Sequence, residues 1–148
     1  VDIVTATDTT WQDAFQFDPT GPTGTSFVPF TGTGPAWTLT GYNFRFNIKS
    51  NWLQPTPLIT VDSGVPGQQV IVIQDANSRI ISTNVPDVAL FASAYPNGIT
   101  GWTGVTGPGL IPGRYCYDLV MYDGSSPQPV KIGLMHGIFE LQVGQGNP

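Results

Sequence analysis

Ten acidic side chains are the most numerous ionisable groups in this chain: Asp2, Asp8, Asp13, Asp18, Asp62, Asp75, Asp87, Asp118, Asp123 and Glu140. Two carboxylates flanking a bond could serve as acid and base, as glycoside hydrolysis requires. Nothing in the spacing here selects such a pair. Most of these residues sit in turns or beside Gly and Pro, where Asp accepts backbone hydrogen bonds. A nucleophilic centre would have to draw on a single thiol and a single imidazole, Cys116 and His136. Cys116 lies in Arg114-Tyr115-Cys116-Tyr117-Asp118, inside an expected strand, and reads as a small buried apolar residue. One His and one Cys cannot complete a structural zinc site. Asp75-Ala76-Asn77-Ser78 faintly resembles a calcium loop but lacks the Gly and terminal Glu of an EF-hand; a hairpin turn is the expectation. There is no Gly-x-Ser-x-Gly elbow and no phosphate loop ending in Gly-Lys-Ser/Thr. The expectation is a protein that is not an enzyme and needs no metal or cofactor.

Aromatic residues are the other candidates. Trp11, Trp37, Trp52 and Trp102 all lie near loops or strand ends. Two or three exposed rings in a row would make a sugar-binding platform. Otherwise such rings pack the ends of the fold or bury into a neighbouring subunit. A carbohydrate-binding or host-receptor-binding module is therefore the alternative function.

The elements that must position these groups are strands. In Leu39-Thr40-Gly41-Tyr42-Asn43-Phe44-Arg45-Phe46-Asn47-Ile48-Lys49, the residues Tyr42, Phe44, Phe46 and Ile48 share one face. Asn43, Arg45, Asn47 and Lys49 share the other. This period-two alternation marks a half-buried strand, expected from about 37 to 49. Further strands are expected at 58–62, 69–74 (buried), 79–83, 115–122, 130–135 and 138–143, the last two separated by Gly137. Residues 85–95 are the one candidate helix, with Asn84 or Asp87 as its cap. Residues 1–36 read as an N-terminal arm and loop, in which 1–18 form an extended arm or a first strand with a short helical turn near 12–14, and 19–36 leave little room for regular structure. Residues 97–112 form a second Gly-rich loop, and 144–148 a frayed tail.

The bulk properties agree. At 148 residues the chain has length enough for one core, so a single domain over 1–148 is expected. It holds 18 Gly and 14 Pro, and only 10% of its residues are charged, against about 25% in ordinary proteins. Such a turn-rich, weakly charged chain suits short strands joined by tight loops. The fold class is therefore all-β: an antiparallel β-sandwich, Ig-like or jelly-roll-like, of about seven or eight strands with one short helix. The net charge of −5 and the scattered bases Arg45, Lys49, Arg79, Arg114 and Lys131 argue against nucleic acid. No apolar run approaches the ~20 residues of a membrane-spanning helix, and Val1-Asp2-Ile3-Val4 is not a secretory leader.

Two blocks carry a family resemblance. The first is the Leu39–Lys49 segment. The second is Leu110-Ile111-Pro112-Gly113-Arg114-Tyr115-Cys116-Tyr117-Asp118-Leu119, followed by Ile132-Gly133-Leu134-Met135-His136-Gly137-Ile138-Phe139-Glu140-Leu141. Over about 36–143 the chain resembles structural proteins of tailed phages and prophages, and is similar to the N-terminal domain of phage baseplate upper proteins. In those, an LTG-aromatic strand opens the domain, and a G-x-Y-x-Y-D-L strand and a G-x-(F/V)-x-(V/L) strand close it. Gly41, Tyr42, Gly113, Tyr115, Tyr117, Asp118 and Gly137 match that pattern. Tyr115, Tyr117, Leu119 and Met121 are expected on one strand face, and Asp118 on the other, tying down a loop or pairing with Arg45 or Arg114. The Pro-rich 19–36 segment and the 97–112 loop depart from the pattern.

The resemblance implies a virion building block of the tail or baseplate, with a capsid decoration (cement) protein nearly as well matched. Its partners would be other virion proteins, including the major capsid protein in the cement reading. Such domains dock through loops and an N-terminal arm. Trp11, Phe15, Phe17, Phe27, Phe30, Trp52 and Trp102 are the expected interface residues, since permanent interfaces are poor in charge and rich in aromatics. A closed homo-oligomer, a trimer, is expected.

Overall fold

The computed structural model describes residues 2–17, 38–65, 70–90, 104–123 and 131–144. The chain is nearly all β. Nine strands occur among these residues: β1 (Ile3–Ala6), β2 (Ala14–Gln16), β3 (Asn43–Lys49), β4 (Ile59–Asp62), β5 (Ile71–Asp75), β6 (Ile80–Thr83), β7 (Val105–Thr106), β8 (Gly113–Tyr122) and β9 (Lys131–Gln142). A single helical turn, α1 (Asp87–Leu90), follows β6. It falls within the 85–95 segment expected to be helical, but Val85 instead bridges to Trp11 in β fashion; 91–95 lie outside the described residues.

A six-stranded curled sheet runs in the order β1-β9-β8-β3-β4-β7, and a three-stranded sheet in the order β2-β6-β5. The centre of the large sheet follows from side-chain alternation. On β3, Phe44, Phe46 and Ile48 are buried and the intervening polar residues are partly exposed. On β8, Tyr115, Tyr117, Leu119 and Met121 turn to the same interior, as expected. Antiparallel register sets Phe46 opposite both Val61 and Leu119, so three strands contribute to one apolar layer.

Several expectations need correction. The segment before β3 is a turn rather than strand: Tyr42 N–H donates to the Leu39 carbonyl, and Gly41 has φ +83°, a conformation favouring glycine. Gly137 does not divide two strands. It lies within one continuous strand opposite Tyr117, because all ten residues of β8 find partners along it. The register shifts instead at Leu119/Val120, where Leu134 is the extra residue, and Leu134 and Met135 both pack toward the core. β5 is an edge strand that buries only Ile71, not the buried strand its composition suggested.

The largest correction concerns the N-terminus. Residues 2–17 are part of the body: of the two readings, arm or first strand, the strand holds, and both β1 and β2 belong to the sheets. β1 pairs in parallel with β9, Ile3 opposite Phe139, so the first and last strands are neighbours in an otherwise antiparallel sheet. β2 then pairs with β6 in the small sheet, and no helix forms at 12–14. Between them Trp11 is 1% exposed. Its ring meets Phe46 edge-on at 5.1 Å and Phe139 at 5.2 Å, and its indole N–H donates to Asp13 Oδ2 at 2.7 Å. Phe15 reaches Phe46 from the small sheet at 5.9 Å. At the far end, Gly144 N–H donates to Thr7 Oγ1; 145–148 lie outside the described residues.

Candidate functional site

Two regions of the large sheet carry the chemistry. The first is the polar face of β3, turned away from the core. Register places Arg45 opposite Asp62 on β4 and Asn47 opposite Thr60 on one side and Asp118 on the other. Arg45 Nε and Nη2 both donate to Asp62 Oδ2, at 2.9 and 2.8 Å. Asp62 Oδ1 accepts the Tyr122 phenol and the Gly64 N–H. The guanidinium carbon of Arg45 stands 4.9 Å from the Tyr122 ring centre. Asp62 is buried, so its charge needs these partners. Burial pushes the Tyr122 phenol up to about 12, with the bond to Asp62 adding to the shift. Burial opposes the charge on Arg45, but the bond and charge of Asp62 outweigh it and hold the guanidinium above its usual value. Neither Arg45 nor Arg114 is the partner of Asp118: Asn47 Nδ2 donates to it at 2.8 Å, and Lys49 lies at 3.9 Å.

The second region is one end of the same sheet. The end of β3, the start of β8 and the end of β9 come together there, since Lys49 lies opposite Cys116 and Gly113 opposite Leu141. The adjoining segments expose apolar side chains: Trp52 at 52%, Leu53 at 93%, Ile111 at 63% and Val143 at 68%. The tight turn at 51–54, held by Asn51 Oδ1 on the Leu53 N–H, presents the first two. Trp52 stands edge-on to His136 at 5.7 Å. No Asp, Glu, Lys or Arg occurs in 50–61 or 104–113.

The structure distributes the expected interface residues unevenly. Trp52 is half-exposed, as docking requires. Trp11 belongs to its own chain's core and has no surface to offer a neighbour. Phe15 and Phe17 are partly buried against that core. Phe27, Phe30 and Trp102 lie outside the described residues, as does Trp37. Among the described residues no row of exposed rings forms. The motif residues are structural: Tyr117 is fully buried, with burial pushing its phenol up to about 12, and the Tyr115 hydroxyl donates to the Ile111 carbonyl at 2.6 Å. That bond and the Gly113 backbone shape the entry to β8. Gly137 sits in mid-strand.

The turn at 75–78 is a hairpin. Asp75 Oδ1 accepts the N–H groups of Asn77 and Ser78, and the Ser78 bond holds its carboxyl below the usual range. Among the described residues no group of three or more His, Cys, Asp or Glu is placed to hold a metal ion, and no helix is long and apolar enough to cross a membrane. Nothing in the sequence marks Arg45, Asp62 and Tyr122 as a unit. The polar face of β3 was the only local signal for it. No family model, no curated protein and no solved structure matches this chain.

Proposed function

We propose that this chain is a structural component of a bacteriophage virion that docks onto neighbouring virion proteins, with a tail or baseplate place favoured over a capsid cement role. The observation that carries the docking part is the exposed apolar side chains beside one end of the large sheet: Trp52, Leu53 and Ile111, on segments that hold no charged residue, and Val143. Exposed apolar clusters of this kind mark interaction surfaces, and charge depletion is the compositional sign of an interface core. The phage assignment rests on the sequence resemblance, whose blocks fall on β3, β8 and β9, three adjacent strands of one sheet. We read the two sheets as the layers of a β-sandwich, supported by the Phe15–Phe46 ring contact. Homo-oligomers are closed by symmetry as a rule, and a trimer is the proposed form.

Two experiments test this reading. Mass spectrometry of virions purified from the encoding phage should find the chain in fixed stoichiometry with the tail proteins; its absence from purified particles refutes the proposal. Light scattering of the purified protein should give the mass of a trimer, converted to monomer by Leu53→Ser with Ile111→Ser. An unchanged mass in that variant means that this end of the sheet is not the contact between copies.

A further inference from the structure

Beside the Arg45–Asp62 pair lies a cleft of about 370 Å³, lined by Arg45, Asn47, Thr60, Asp62, Thr106 and the apolar Pro57 and Val65. Clefts of roughly 300–1,000 Å³ accommodate small molecules. Its lining follows from register: Arg45 faces Asp62, Asn47 faces Thr60, and Thr60 faces Thr106. Five polar side chains therefore stand as a grid over β3, β4 and β7.

The grid has a distinct balance of donors and acceptors. Asp62 has both oxygens engaged, by Tyr122, Gly64 and Arg45. It offers nothing to a cation, and the neighbouring guanidinium repels one. Arg45 is held from two sides, by the Asp62 carboxylate and by the Tyr122 ring beneath it. Its Nε edge is spent. The Arg45 guanidinium also shares a hydrogen bond with the Tyr122 side chain, and the Arg45 side chain is 35% exposed. Of the five guanidinium N–H groups these contacts leave two, on a planar head held in place, and they can bond a carboxylate. The Thr60 and Thr106 hydroxyls carry no hydrogen bond among the described residues, and Asn47 has its carbonyl oxygen left after its amide binds Asp118. These suit hydroxyl groups. Pro57 and Val65 supply an apolar wall for a ring.

We propose that this cleft binds a sugar acid of single-ring size, a uronate, with its carboxylate on the remaining N–H groups of Arg45 and its hydroxyls on Thr60, Thr106 and Asn47. The site is independent of where the protein sits in a particle. The net charge of −5 works against an anion, though charges beyond about 8 Å are screened at physiological salt. A Kd on the order of 1 mM is expected for one ring.

The test is a titration of the ¹⁵N-labelled full chain with sodium glucuronate, and separately with glucose. The Arg45 Nε–H and the amides of Thr60, Asp62 and Thr106 should shift with glucuronate and respond at least about fivefold more weakly to glucose, given the strength of charge-assisted bonds. Thr60→Val, which keeps the side-chain shape, should weaken glucuronate binding about threefold to tenfold with an unchanged melting temperature. Arg45→Lys keeps a cation facing Asp62 but removes the planar guanidinium, and should weaken it at least about tenfold. Shifts that sodium chloride reproduces, an equal response to glucose, or no shift in these groups with the wild-type chain overturns the proposal.

Discussion

Replacing Trp11 by Ala tests whether the N-terminal segment is core or arm. The side chain is 1% exposed and wedged edge-on between Phe46 and Phe139. A Trp buries about 150–250 Å², which at about 25 cal/mol per Å² is roughly 4–6 kcal/mol. That is an upper bound, because the unfolded chain already buries part of the area. Large-to-small substitutions of buried aromatics cost about 3–5 kcal/mol, and the two estimates overlap near 4 kcal/mol. The lost bond to Asp13 adds little, since that carboxylate is partly exposed and water can replace the indole. Against a total of about 5–15 kcal/mol, a loss near 4 kcal/mol is severe. For a domain of this size it lowers the melting temperature by roughly 8–16 °C. Urea unfolding followed by far-ultraviolet circular dichroism measures it, with wild-type and variant compared at equal m-value. A loss below about 1 kcal/mol would refute the placement of Trp11 in the core, since that is the range of surface substitutions.

Four further outcomes are expected. Deleting residues 1–18 removes β1, Trp11 and β2 together, so the product should show no cooperative melt; a folded truncated protein would restore the arm reading. Tyr117 and Tyr122 ionise at about 12 in the folded chain, above the ordinary 10.0. The stability they hold is complete below pH 10 and is lost as pH rises toward 12, so urea midpoints should fall across that window while phenolate absorbance lags that of free tyrosine. Asp62→Asn removes the charge facing Arg45 and should cost about 2–4 kcal/mol, less than a fully buried pair because Arg45 is partly exposed; Asp118→Asn, at a more exposed and looser pair, should cost under about 1 kcal/mol in the same denaturation assay. In Gly107→Ala, φ is +124° and the new methyl would lie 2.2 Å from the Leu58 carbonyl oxygen. Backbone cannot swing aside as a side chain can, so thermal melting should reveal a loss of about 2 kcal/mol or more.

The alternating residues of β3 and β8 made their strands, their buried faces and the all-β class legible in the sequence. Alternation is a local property: one buried face demands apolar residues at every second position, whatever the partner. The same holds for the Asp75 hairpin turn, whose bonds span three residues. Gly137 misled because glycine is a weak strand former by itself, whereas here ten paired residues of β8 carry it through. Trp11 misled because a ring in a polar stretch looks the same whether it meets a neighbour or its own core. What decides is β1 pairing with β9 across more than 130 residues of chain, with Ile3 opposite Phe139, and no periodicity encodes that.

The candidate sites divide in the same way. Alternation alone puts Asn43, Arg45, Asn47 and Lys49 on a solvent-side face, and the absence of charge from 50–61 and 104–113 can be read directly. Which carboxylate meets Arg45 is set by strand register with β4, and a shift of one residue would turn Asp62 to the other face. That the segments carrying Trp52, Leu53, Ile111 and Val143 adjoin one end of the sheet is set by strand order and register. Sequence determined what each strand shows on its two faces, because neighbouring residues impose it. Only the tertiary structure decided which faces and ends meet, because register and strand order are the joint result of long-range pairings.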